Sequence, residues 1–180
     1  MFPLALPLSA AETGEVLDLN QSAWQSVDSR LVGKKPAGWV PNTKFPNGKA
    51  FLTEVNGKMA FKLEGNSDTE KTTPFQIYYR HAVNVKPGDV VVTKGKVRGS
   101  GEYAILLYCY DENDKSIGSL PEKNVTHTIS ATEFEDFEVS IPVEKIRRGA
   151  PSFIRYALGA GSGSNVEFLD LEIKIIRAPK

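Results

Sequence analysis

Residues 83–97 read VNVKPGDVVVTKGKV, and the way the middle of that stretch bends decides the fold. Two runs rich in β-branched residues flank Lys86-Pro87-Gly88-Asp89. Proline presets φ at the first corner position and glycine accepts positive φ at the second, which favours a type II turn. Such a turn twists against a tight two-stranded hairpin. The stretch therefore reads as a corner that passes the chain from one sheet to another, and the domain reads as a β-sandwich.

Outward from this corner, β-rich runs and turn signals alternate along the rest of the chain. Helical periodicity is confined to two short windows, residues 12–19 and 143–148. Alternation at 16–19 marks a first strand. Residues 50–55 and 58–63 read as a pair joined by Asn56-Gly57, both of which accept positive φ and so favour a tight hairpin. Residues 33–48, with Pro36, Pro41 and Pro46, read as a long surface loop that carries Trp39 and Phe45. Further strands fall at 76–85, 90–98, 102–110, 125–129, 134–143, 153–158 and 166–176. The total of about ten strands, at regular spacing, predicts an all-β sandwich of two antiparallel sheets. A chain of 180 residues fits one domain, assigned to 16–180.

Composition excludes several classes. Lys plus Arg and Asp plus Glu both number 22, so no basic surplus points to nucleic acid or to an anionic membrane. No apolar run is long enough to span a bilayer. Cys109 is the single cysteine, which rules out an intrachain disulfide; its strand-like flanks make it a small buried hydrophobe. His81 and His127 make no metal-ligand spacing. Residues 1–15 begin MFPLALPLSA and are set apart as an N-terminal tail. The tail is apolar and ends in small residues, like the remnant of a secretory signal without its positive end, which implies an extracellular or periplasmic protein. The alternative is a disordered tail.

Gly99-Ser100-Gly101 reads as a three-residue hairpin loop between 90–98 and 102–110. The register that puts Val91, Thr93, Val97, Tyr103, Ile105, Leu107 and Cys109 on one face gives a clean buried side. Lys94, Lys96, Arg98, Leu106, Tyr108 and Tyr110 then point outward together. Aromatic rings stack on the apolar faces of sugars, and Lys or Arg bonds hydroxyls or pairs with carboxylates, so an acidic or neutral polysaccharide fits this face. A plain solvated sheet face is the competing reading.

Several motifs carry a family resemblance. Residues 81–89, HAVNVKPGD, resemble the Q-x-V-x-V-x-P-G-x stretch of carbohydrate-binding modules with a galactose-binding-like jelly roll, the xylan- and glucan-binding type. Residues 103–117, YAILLYCYDENDKSI, resemble that family's strand ending in an aromatic and an aspartate turn. Residues 133–142, EFEDFEVSIP, and 166–173, VEFLDLEI, resemble its later strands in the same order. The resemblance implies a jelly-roll β-sandwich with a noncatalytic, secreted role. It also implies a polysaccharide or oligosaccharide bound on a concave sheet face, and association with a glycoside hydrolase. Site residues expected on that basis are Trp39, Tyr78, Arg80, Lys96, Tyr108 and Tyr110, although Trp39 reads equally as a loop anchor on the core. The resemblance further implies a structural calcium, with Asp170 and Asp18 as ligands; Asp170 reads equally as an N–H acceptor at a strand end.

Two other functions fit the same sequence. One is a structural or adhesive β-sandwich of a secreted or cell-surface protein, which would show a flat or filled surface over Tyr108 and Tyr110. The other is an enzyme using paired carboxylates, but Glu133, Glu135, Asp136 and Glu138 read as a solvated edge.

Overall fold

The computed structural model describes residues 14–25, 28–67, 73–123 and 125–179. The signal-like stretch at residues 1–13 lies outside them. Among the described residues the chain forms eleven strands. In order they are β1 (Glu15–Val16), β2 (Trp39–Pro41), β3 (Lys49–Val55), β4 (Lys58–Glu64), β5 (Phe75–Tyr79), β6 (Val83–Asn84), β7 (Val90–Tyr110), β8 (Ser116–Leu120), β9 (His127–Pro142), β10 (Phe153–Ala160) and β11 (Asn165–Ile176). A single helical turn, α1 (Ser22–Gln25), and a 3-10 turn at Ser29–Leu31 complete the set. The architecture is an all-β jelly roll, with the antiparallel sheet curled around one core.

The corner forms as its residues require. The Asp89 amide donates to the Lys86 carbonyl at 3.1 Å, and Gly88 takes φ 96°, the positive value of a type II turn. Before the corner β6 pairs with β10; after it β7 pairs with β9 and β11. Asp89 seals the corner. Its buried carboxylate accepts from the Lys86 amide at 3.1 Å, the Ala178 amide at 2.9 Å and Arg177 Nη1 at 3.0 Å. The Asn56-Gly57 hairpin also forms, with Val55 opposite Lys58 and φ of 51° and 76° at the two turn residues.

The expected hairpin at 99–101 does not form. Residues 90–110 make one strand, which pairs with β11 over its first half and with β10 over its second. Strand β9 follows β7 from Val90 to Tyr103, with extra residues bulged out on β9 near residues 132–134, and β8 pairs with β7 from Leu107 to Tyr110. The glycines bend the strand rather than reverse it. Gly99 and Gly101 take φ of 127° and 101°, and a Cβ on Gly99 would overlap the Asn165 carbonyl. Glycine in a strand marks a bend or close backbone approach as readily as a turn, and here it marks both.

The sheet therefore has two halves joined through β7. One half is ordered β9–β7–β11–β4–β3; the other is ordered β2–β5–β10–β7, with β8 on the far side of β7. The face predicted to be buried is buried. Val91, Val97, Tyr103, Ile105, Leu107 and Cys109 pack with Phe61, Phe168, Ile154 and Leu158 in one core. Each such side chain contributes about 1.5–3 kcal/mol by burial. Thr93 and Tyr156, polar but buried, satisfy each other at 2.9 Å. Burial pushes the Cys109 thiol up to about 12, so it is inert packing.

Candidate functional site

Alternation along β5, β10 and the second half of β7 sends one set of side chains to the core and the other outward. On β10, Ile154, Tyr156, Leu158 and Ala160 belong to the core; Arg155, Ala157 and Gly159 are the alternate set. In register, Tyr78 lies beside Ala157, which lies beside Leu106; Gln76 lies beside Gly159, which lies beside Ala104. Arg155 sits next to Tyr108, and Phe153 next to Tyr110. The outer face of this half thus has aromatic and charged groups at one end and small residues at the other.

The aromatic end is tied together by specific contacts. Tyr78 and Tyr108 meet edge to face with centroids 5.6 Å apart. Asn42 Nδ2 donates to the Tyr108 hydroxyl at 2.7 Å, and that hydroxyl donates in turn to Gln76 Oε1. The Arg155 guanidinium lies 4.4 Å from the centre of the Tyr110 ring, donates to the Tyr110 hydroxyl at 3.1 Å and approaches Asp114 at 3.5 Å. Burial pushes the Tyr108 phenol up to about 12, partly offset by the Asn42 hydrogen bond, so it remains a neutral donor through ordinary pH. Past Gln76 the face sinks into a cavity of about 430 Å³, bounded by Pro74, Glu102, Ala104, Leu106, Gly159 and Ser162 among others. Gly159 and Ala104 leave that space open because they carry no larger side chain.

The structure thus brings Tyr78, Tyr108 and Tyr110 onto one face. It adds Asn42, Gln76 and Arg155, which sequence reasoning did not single out. Parity along 153–160 was the available signal for Arg155; Asn42 lay hidden in the proline-rich segment. The other expected site residues go elsewhere. Trp39 is fully buried, donates to the Leu19 carbonyl at 3.2 Å and packs edge-on to Phe61 at 5.2 Å, so it anchors the core and is not a rim residue. The segment read as a loop contains an edge strand there, and pairing Trp39 with Tyr79 turns the indole inward. Arg80 lies just beyond β5, exposed, with Nε donating to His81 at 3.2 Å. Lys96 is on the outer side of the other half, between Leu169 and Asp136 in register, and pairs with Asp136 at 3.6 Å. Lys94 pairs likewise with Glu138 at 3.8 Å. Because the strand runs on through Gly99, Lys96 and Tyr108 are twelve residues apart along extended chain and do not share a trough.

The two carboxylates expected to hold calcium are engaged otherwise. Asp18 accepts from the Ser22 amide at 3.1 Å and from its hydroxyl, capping α1, and the Ser22 hydroxyl bond is the main reason its pKa is lowered. Asp170 pairs with Lys58 at 2.8 Å. Among the described residues no three His, Cys, Asp or Glu side chains converge. Calcium takes six to eight oxygens, carbonyls among them, and each of the two carboxylates already has a partner within the chain.

No family model matches the chain, and no curated protein matches it in sequence. Solved structures do share its fold. A xylan-binding domain, the first family-22 carbohydrate-binding module of Paenibacillus barcinonensis Xyn10C, superposes with a TM-score of 0.52 at 13% identity, over 81% of this chain and 90% of that one. A family-28 module specific for non-crystalline cellulose gives 0.52 at 16% identity, over 78% and 89%. An arabinose-bound family-51 α-L-arabinofuranosidase gives 0.55 at 11% identity over 90% of this chain, but the match spans only 26% of the enzyme. The chain shares its all-β jelly-roll fold with these proteins. Among the described residues no helix is long and apolar enough to cross a membrane.

Proposed function

We propose that the domain is a noncatalytic carbohydrate-binding module that takes a polysaccharide chain along the outer face of β5, β10 and the second half of β7. One observation carries this reading: Gln76, which accepts from the Tyr108 hydroxyl beside the Tyr78 ring, also lines the trough bounded by Ala104 and Gly159. Tyrosine edges and faces cover the apolar sides of sugar rings, while Gln76, Asn42 and Arg155 present donors and acceptors to hydroxyls. A trough, rather than a flat or filled surface, favours this function over a structural or adhesive sandwich. The xylan- and cellulose-binding modules with the same fold support a plant-type β-glycan as ligand. The arabinofuranosidase supports attachment to a glycoside hydrolase, and with it an extracellular site of action.

Affinity electrophoresis and calorimetry against xylan, mixed-linkage β-glucan, cellulose oligosaccharides and alginate test the proposal. At least one glycan retards the wild-type domain. The variant Ala104→Leu, which fills the trough from the outer side of the sheet, loses that retardation while keeping its circular dichroism. Equal binding by the variant, or no binding to any glycan by a folded wild type, would refute the assignment.

A further inference from the structure

The other half of the sheet carries a second trough, of about 500 Å³, over the bend in β7. It is bounded by two rows of side chains that run across the strands. In the first row, Phe51 lies beside Lys62, Lys62 beside Glu167, and Glu167 beside Arg98. Each cation covers an aromatic ring: Lys62 stands 5.7 Å from the Phe51 centroid and Arg98 4.4 Å from that of Phe134. Glu167 between them is only 8% exposed, held by Arg98 at 2.6 Å and by the Thr53 hydroxyl. In the second row, Asn165 lies beside Ser100 and Ser100 beside Ser130. Neighbouring strands are spaced about 4.8 Å apart, so this row of an amide and two hydroxyls spans about 10 Å, the reach of a short oligosaccharide.

The chemistry of the rows selects the ligand. Arg98 is paired with Glu167 at 2.6 Å and Lys62 with Glu64 at 3.6 Å. Both cations are matched by carboxylates, which leaves the trough no net charge to draw in an ion. What remains is a fixed set of donors and acceptors, alternating along rigid strands and flanked by two rings. That set suits groups that donate and accept together, as sugar hydroxyls do. We propose that this trough is a second oligosaccharide site, independent of the tyrosine face and selective for a neutral, hydroxyl-bearing chain. With one site on each half of the sheet, a single domain holds two chains, or two segments of one chain, and gains avidity on a polymer.

The test is a titration of the ¹⁵N-labelled full chain with xylohexaose, cellohexaose and mannohexaose, with oligogalacturonate as the charged probe. Binding of a neutral probe shifts the amides of Ser100, Ser130 and Asn165 in a saturable way. Loss of two hydrogen bonds in the Ser130→Ala/Asn165→Ala double variant weakens that phase by about ten-fold or more, and Ala104→Leu leaves it unchanged. Shifts confined to the Tyr78 and Gln76 face overturn the second site, as do shifts from no probe or tighter binding of oligogalacturonate at the trough. Shifts at Ser100, Ser130 and Asn165 with none at the Tyr78 face uphold the second site while removing the function assigned to the first.

Discussion

Asp89→Asn tests whether the corner at 86–89 holds the jelly roll together. The side chain keeps its volume and loses its charge. In the native corner its carboxylate accepts three hydrogen bonds, from Lys86, Ala178 and Arg177, and is 0% exposed. The amide that replaces one oxygen is a donor facing donors, so at least one bond is lost and the Arg177 guanidinium loses its counter-charge. A net loss of about 2 kcal/mol follows for Asn and about 4 kcal/mol for Ala, which strands all three donors. With a urea m-value of about 2 kcal/mol/M, the midpoints fall by about 1 M and 2 M.

The pH dependence follows from the same contacts. Burial pushes the Asp89 pKa up, but the Ala178 and Lys86 amides and Arg177 outweigh it and hold the carboxyl below its ordinary value. A depressed folded pKa stabilises fully above the unfolded-state value of about 3.9 and is lost as pH falls through the folded value. The gap between wild type and Asp89→Asn therefore narrows as urea melts are taken from neutral pH to below about pH 3. A midpoint unchanged by the substitution at neutral pH, or a gap of constant size across that range, would refute the reasoning.

Gly99→Ala places a methyl against the Asn165 carbonyl at φ 127° and costs about 3 kcal/mol or more, read in the same melts. Tyr108→Phe deprives Asn42 and Gln76 of the shared hydroxyl. It costs about 1–2 kcal/mol and weakens glycan retardation several-fold, with the near-ultraviolet dichroism of the Tyr78 pair changed. Lys96→Ala breaks only an exposed pair with Asp136, so stability stays within about 0.5 kcal/mol and glycan binding is unaltered.

What the sequence disclosed was mostly parity. The corner at Pro87-Gly88, the Asn56-Gly57 hairpin and the inward set of Val91, Thr93, Val97, Ile105, Leu107 and Cys109 all depend on local backbone preference or on a period of two, and all appear in the structure. The errors come from glycine and proline, whose meaning depends on distant neighbours. Gly99-Ser100-Gly101 has the composition of a loop, yet the approach of Asn165 and Ser164 makes it a bend within a strand. Pro36, Pro41 and Pro46 mark irregular chain, yet Pro41 ends an edge strand, where a missing N–H is tolerated, and that strand carries Trp39 into the core. The candidate site was half legible. Alternation turns Tyr78 and Tyr108 each to the outer side of its own strand, but their sharing a face depends on β10 lying between β5 and β7, an order that no local signal encodes.

The placement of small residues shows why one face differs from the other. Outward positions on β10 shrink along the strand from Arg155 through Ala157 to Gly159, while its inward positions, Ile154, Tyr156 and Leu158, stay large. Both small positions are buried: Ala157 is 0% exposed and lies between Tyr78 and Leu106 in register, and Gly159 lies between Gln76 and Ala104. A methyl at Gly159 would find its nearest contacts at 3.3 Å to the Phe75 carbonyl and 3.5 Å to the Gln76 side chain. Backbone geometry thus makes a modest demand for glycine at that point. The opposite half, at Lys94 and Lys96, shows what an ordinary exposed face of this chain looks like: long side chains paired with Glu138 and Asp136 across the strands. The trough at Gln76 differs in its lining: Ala104, Leu106 and Gly159 bound it, where charged side chains bound the hollow at Lys94 and Lys96.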